Sequence, residues 1–233
     1  GLSSKLDGQR AGGSQYASML RSFVGRPSPA VYTVEHLADD GAALLDHLGV
    51  DRAHVVGASM GGMIAQTVAI EHPTRVRTLT SIMSNTGEPG YGEPSPDLAG
   101  VLLAPRPTDR EGVIESGMAI QRAIASEHFD EVRMRAVIEL AYEQGYNPDG
   151  VGRQLLATLA SGSRAEGLAR LDLPALVIHG RQDRLVDFSG GQRTAELIAG
   201  ADFLAIEDMA HDLPKAHWVR IADAITAVTN RAA

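Results

Sequence analysis

The feature that most narrows what this chain can become is the run His54-Val55-Val56-Gly57-Ala58-Ser59-Met60-Gly61-Gly62-Met63-Ile64-Ala65-Gln66. An apolar stretch of strand character passes into helix with no loop between them. The surrounding signals extend that pattern. Residues 34 to 48 place Val34, Leu37, Ala38, Gly41, Leu44, Leu45 and Leu48 on one helical stripe, and Gly49 supplies a stop. Residues 60 to 71 read as the next helix. It ends at His72-Pro73, because the residue before a proline is pushed out of the helical region. Val76 to Met83 is a β-rich run. Helix, strand, helix, strand in this order predicts a parallel sheet with helical crossovers.

Between Asn85 and Thr108 five prolines and four glycines rule out a long regular element. Residues 110 to 168 read as several helices, broken at Gly145-Tyr146-Asn147-Pro148. Alternation then resumes, with a strand at Ala175–Gly180, a helix at Gly191–Ile198, a strand at Asp202–Ile206 and a closing helix over 216 to 230. The expected organisation is an α/β core in two parts, residues 1–84 and 168–233, interrupted by a helical insertion at 85–167.

Composition removes several functions. The net charge of −8 opposes a nucleic-acid or anionic-membrane partner, since phosphate would be repelled. With no cysteine, disulfides, thiolate catalysis and zinc–thiolate sites are all excluded. No apolar run approaches the roughly 20 residues of a membrane span. No cofactor or metal ligand set is read from the pattern.

A serine at the sharpest bend between two buried elements has a chemical reading. A hydroxyl is a poor nucleophile unless a base takes its proton and its oxygen stands clear of the backbone. A tight strand-to-helix turn exposes the oxygen and needs small neighbours, as in Gly57-x-Ser59-x-Gly61. The alternative is that Ser59 caps the helix while the glycines permit close packing. The helix start also aims free N–H groups at the bend, Met60 first among them.

Such a serine requires a histidine and an acid. Of the eight histidines, His36, His47 and His72 suit solvated or capping roles. His54 opens a strand, His128 lies in the insertion, and His179 ends a strand as a packed residue. His211 follows the last strand in Glu207-Asp208-Met209-Ala210-His211-Asp212, and chemistry in open α/β sheets gathers where loops leave the carboxyl ends of strands. His217, its rival, is expected exposed at a helix start. The same rule selects Asp183 as the acid. Asp187 is better placed as a helix N-cap, and Asp212 is expected to point away from its neighbour's ring.

The order Ser59, Asp183, His211 and the segments GASMGG, HGRQDRLV and MAHDLP resemble the α/β-hydrolase family, over nearly the whole chain. DRAHVVGASMGGMIAQ with HPTRVRTLTSI is similar to bacterial carboxylesterases and lipases, anthracycline methylesterases and 3-oxoadipate enol-lactonases. The resemblance implies an α/β-hydrolase fold, a mostly parallel sheet with flanking helices and a helical cap at 85–167. It implies cofactor-free hydrolysis of a small carboxylic ester or lactone. Ser59 would be the nucleophile, His211 the base and then acid, Asp183 its orienter, and the Met60 N–H one oxyanion donor.

The family carries early strands and a His-Gly loop that are not found ahead of Gly1-Leu2-Ser3-Ser4. The chain therefore reads as lacking its natural start, with the nucleophile strand at an open edge and the second oxyanion donor unidentified. A cytoplasmic location is expected, with secretion left open. Carbon–carbon bond hydrolysis, as in meta-cleavage product hydrolases, and cofactor-free perhydrolysis are neighbouring readings. A non-catalytic small-molecule-binding protein on the same fold is a further one. Dehalogenases and epoxide hydrolases are disfavoured, because they place aspartate at the bend. Met118, Ile120, Ile124, Phe129, Met134, Leu140 and Tyr142 could line an apolar pocket or be plain core. Arg106, Arg110, Arg133 and Arg135 could meet a substrate carboxylate, although a solvated face also explains them.

Overall fold

The computed structural model describes Leu6 and residues 29–104 and 107–232. Four parallel strands form one sheet in the order β1-β2-β3-β4: β1 Ala53–Ala58, β2 Val76–Ile82, β3 Ala175–Gly180 and β4 Asp202–Ile206. Helix α1 (Val34–His47) precedes β1, and α2 (Met60–Glu71) joins β1 to β2. The β2–β3 crossover carries α3 (Ala99–Leu102), α4 (Arg110–Ile124), α5 (Glu131–Glu143), α6 (Pro148–Ala160) and α7 (Ala165–Leu168). Helix α8 (Phe188–Leu197) links β3 to β4, and α9 (Trp218–Asn230) closes the described chain.

Sequence expectation and structure agree on every strand to within a residue. Two helix starts differ. Helix α8 begins at Phe188 rather than Gly191, because the Asp187 carboxylate accepts the Ser189 N–H and opens the helix early. Helix α9 begins at Trp218, after a 3₁₀ turn over Lys215–His217. The proline- and glycine-rich stretch after Asn85 holds only a 3₁₀ turn at Pro96–Leu98 and the single turn of α3.

Strand alternation builds a core on each face. Leu79 and Ala175 meet Ala65, Val68, Leu168 and Ile198 on the side covered by α1, α2 and α7. Leu176 and Ile178 turn the other way, onto Ile206, Met209, Ile221 and Val228, under α9. Leu79 and Ile178 are fully buried, each contributing on the order of 1.5–3 kcal/mol of apolar burial. Strand β1 borders only β2 among the described residues, and Val56 on it is 47% exposed.

The β1–α2 junction explains its glycines one by one. A Cβ at Gly57 would sit 2.0 Å from the Gly61 carbonyl oxygen, and one at Gly62 would sit 2.7 Å from Ser84 Cβ. A Cβ at Gly61 meets nothing within 4 Å among the described residues. Crowding therefore requires Gly57 and Gly62, not Gly61. Gly57→Ala is expected to lower stability by about 3 kcal/mol or more, since backbone must move to admit the methyl. Gly61→Ala should be neutral or stabilising by up to about 1 kcal/mol, because alanine is the better helix former. Chemical denaturation of both variants checks this; equal losses would overturn the assignment.

Candidate active site

The register of the sheet brings the predicted residues together. Ala58 of β1 lies beside Ile82 of β2, which lies beside Ile178 of β3, so β1 and β2 end level with each other, two residues short of the end of β3. Gly180 of β3 lies beside Ile206 of β4. Ser59 follows the end of β1, Asp183 follows β3 by three residues, and His211 follows β4 by five. Three loops thus leave the same edge with their polar residues converging.

Ser59 holds φ 54° and ψ −123°, a backbone region that costs a non-glycine residue on the order of 1–3 kcal/mol. Its N–H donates to Ile82 O at 2.9 Å, and its carbonyl accepts the Gly62 and Met63 N–H groups at 2.9 and 3.2 Å. The hydroxyl does not cap α2, so the capping role is not what Ser59 plays at the bend. It lies 2.9 Å from His211 Nε2 instead. The Met60 N–H opens α2, where helix geometry gives it no partner within the helix.

Asp183 and His211 are 4% and 8% exposed. The Asp183 carboxylate can only accept, so His211 Nδ1–H donates to its Oδ2 at 2.8 Å. That leaves Nε2 free to accept from the Ser59 hydroxyl. The other oxygen, Oδ1, accepts the Leu185 and Val186 N–H groups at 2.9 and 2.8 Å. His179 is fully buried, as a packed residue should be. Its Nε2–H donates to Val186 O at 2.9 Å and stands 3.4 Å from Asp183 Oδ2. Burial pushes the Asp183 carboxyl up. Hydrogen bonds from His179 and His211, the charge of His211 and the Val186 N–H together outweigh it and hold the carboxyl below its ordinary value.

The other sequence candidates separate cleanly. Asp212 points away from the His211 ring: its Oδ2 accepts both the N–H and the hydroxyl of Ser126. His36 pairs with Thr33 at the start of α1, His72 with Asp39, and His54 with Thr78. The expectation that His217 is exposed is corrected. Its side chain is only 13% exposed and lies against Asp208, because the 3₁₀ turn folds it inward.

Among the apolar candidates of the insertion, Met118 and Ile124 are core, and Leu140 is 56% exposed. Tyr142 lines a cavity between α1 and α4–α6, stacked on Tyr146, but none of Ser59, Asp183 and His211 borders that cavity. Arg110 and Arg135 are engaged by glutamates, and Arg133 covers the Trp218 ring. Arg106 falls outside the described residues.

Sequence reasoning missed Arg164. It is 6% exposed, donating to Gln66 Oε1 at 3.0 Å and to Asn85 O at 2.9 Å, and burial lowers its pKa to about 10. It ties the end of the crossover to the helix that follows Ser59. No spacing signal marks a buried arginine in a loop, so only packing reveals it. A second missed group is His128, Asp208 and His217. The hydrogen bond from His128 Nε2–H to Asp208 Oδ2, 2.6 Å long, raises the imidazole pKa and lowers that of the carboxyl.

Comparison with known proteins gives the family of the fold. The alpha/beta hydrolase fold family matches residues 21–215. The chain belongs to that family. It is similar to rhodomycin D methylesterase of Streptomyces peucetius, 31% identical over 225 residues, covering 86% of this chain and 74% of that protein. It is also similar to 2-hydroxymuconate semialdehyde hydrolase of Pseudomonas sp. strain CF600, 27% identical, covering 86% of this chain and 70% of that one. Among solved structures, a thermophilic esterase from Thermogutta terrifontis superposes with a TM-score of 0.64 at 26% identity, over 88% of this chain and 75% of that chain.

The lowered Asp183 pKa has a definite sign. Folding favours its ionised form, so that stabilisation is complete above the ordinary carboxylate pKa of about 3.9. It is lost as the pH falls through the lowered value. The stability difference between the parent and Asp183→Asn should therefore shrink between pH 7 and the acid limit of folding. Urea denaturation across that range measures it; a constant difference would contradict the lowered value.

Proposed function

We propose that the protein is a serine hydrolase that cleaves small carboxylic esters or lactones through an acyl-enzyme. The observation that carries this reading is the His211 ring, bonded to Asp183 through one nitrogen and to Ser59 Oγ through the other. In this reading Ser59 attacks the ester carbonyl while His211 Nε2 takes its proton. Asp183 fixes the ring so that Nε2 is the accepting nitrogen, and it stabilises the imidazolium that forms. The Met60 N–H, at the positive end of α2, faces the charge that develops on the carbonyl oxygen. His211 then returns the proton to the leaving alkoxide, and water repeats the sequence to release the acid. Residues 85–167 act as a cap over this edge of the sheet. The likeness to a methylesterase and an esterase supports an ester as substrate.

A second reading is hydrolysis of a carbon–carbon bond, favoured by the likeness to 2-hydroxymuconate semialdehyde hydrolases. The same serine, histidine and acid could serve it, so substrate rather than geometry separates the two.

The test begins with a fluorophosphonate probe and intact mass analysis. One adduct is expected, mapping to Ser59. Ser59→Ala should lose the adduct and about 10⁴-fold or more in kcat on p-nitrophenyl esters, with folding unchanged. No adduct on the folded protein would leave a binding role only. Turnover of a 2-hydroxy-6-oxo-dienoate with no turnover of esters would select the second reading.

A further inference from the structure

Three chain segments meet at Asp208, in the loop that also carries His211. His128 comes from the link between α4 and α5, Asp208 from the loop after β4, and His217 from the 3₁₀ turn before α9. Each offers one atom, and the three atoms lie within 4.8 Å of one another. His128 Nε2 is 2.6 Å from Asp208 Oδ2, and His217 Nε2 is 3.0 Å from Asp208 Oδ1. The two imidazoles stand edge to face, with 5.5 Å between centroids.

Both imidazoles stand within ion-pair distance of Asp208, but only the His128 contact is aligned as a hydrogen bond. His217 Nε2 is shielded from solvent yet makes no aligned hydrogen bond, although a carboxylate oxygen is 3.0 Å away. A shielded ring nitrogen left in that state carries a desolvation cost that a ligand would offset. A cation lying between the three atoms would engage it. Two imidazoles and a carboxylate are a ligand set suited to zinc and its first-row neighbours. Ligand atoms of a four-coordinate zinc stand roughly 3.4 Å apart, given metal–ligand distances of about 2.0–2.1 Å. Only small side-chain shifts separate the observed spacing from that one. The exposed side of His128 leaves the fourth position to water.

We propose that His128, Asp208 and His217 form a binding site for a divalent transition-metal cation that clamps the helical crossover to the His211 loop. The frame for such a clamp is already in place. His211 N–H donates to Ile124 O at 3.0 Å, and Ser126 donates twice to Asp212. His128 lies two residues beyond that serine. The cation has no part in the chemistry at Ser59. It would hold the loop through Asp208, three residues before His211.

Zinc titrated into the metal-stripped intact protein, followed by calorimetry, is expected to bind at one equivalent and raise the thermal midpoint. Cobalt in its place should give the visible absorption of a four-coordinate nitrogen–oxygen site. His128→Gln and His217→Gln should each weaken binding tenfold or more. His72→Gln, which breaks a surface His–Asp pair elsewhere, should leave it unchanged. Ser59→Ala should bind zinc as the parent does, so failure of the hydrolase reading would not disturb this result. Binding that is non-saturable, or unaltered in His128→Gln, would overturn the site. The exposed His128 decides the matter even if His217→Gln does not fold.

Discussion

Everything in this structure that concerns chemistry depends on where four parallel strands end. Parallel pairing places the carboxyl ends of all strands on one edge, with β1 and β2 ending together and β3 and β4 ending together two residues further on. The turns that place Ser59, Asp183 and His211 follow their strands by one, three and five residues, so each polar residue has few positions to occupy. Ser59 has the fewest, since strand and helix meet at it directly. Its strained backbone is retained because both its N–H and its carbonyl are bonded to fixed partners. Loosening any of these contacts would relax φ and swing the hydroxyl away from His211.

Asp183 is held more firmly than His211. Both Asp183 oxygens are engaged, one by two backbone N–H groups and the other by His211, with His179 alongside. A carboxylate so bound cannot rotate, so the imidazole hydrogen-bonded to it is aimed rather than merely near. His211 is anchored through its backbone instead, to the carbonyl of Ile124 at the end of α4. The helical crossover is therefore tied directly to the loop that carries His211. Arg164 provides the matching tie at the crossover's other end, to Gln66 of α2 and to Asn85. Gln66 in turn donates to Ser81 of β2. The crossover is thus joined to the core by polar contacts on both flanks of Ser59.

These ties also mark the boundary of what could be read from the chain. The strands, the zero-length turn at Ser59 and the positions of Asp183 and His211 were legible, because each follows from periodicity and from the rule that loops at strand ends carry chemistry. The insertion was legible as helical but not in what its residues face. Met118 and Ile124 are core, whereas Leu140, equally apolar, is 56% exposed. Helical spacing identifies a stripe; the packing partner that covers it comes from elsewhere in the chain. Arg164 and His217 were missed for a related reason. Burial of a charged or titratable side chain is decided by distant segments, here α2 and the Asp208 loop, and leaves no local signature.

The three glycines at the turn show the same limit at higher resolution. Gly57, Gly61 and Gly62 are equivalent in a sequence pattern, yet only two are forced by contact. Gly57 faces the backbone of the following helix turn, and Gly62 faces Ser84 at the end of β2. Gly61 has open space where a side chain would be. No described contact forces Gly61 to be small, so in the proposed hydrolase the space two positions after Ser59 is open to a substrate. On that argument, enlarging Gly61 should spare the fold while raising KM, and the step in KM should grow with the size of the acyl or alcohol group offered.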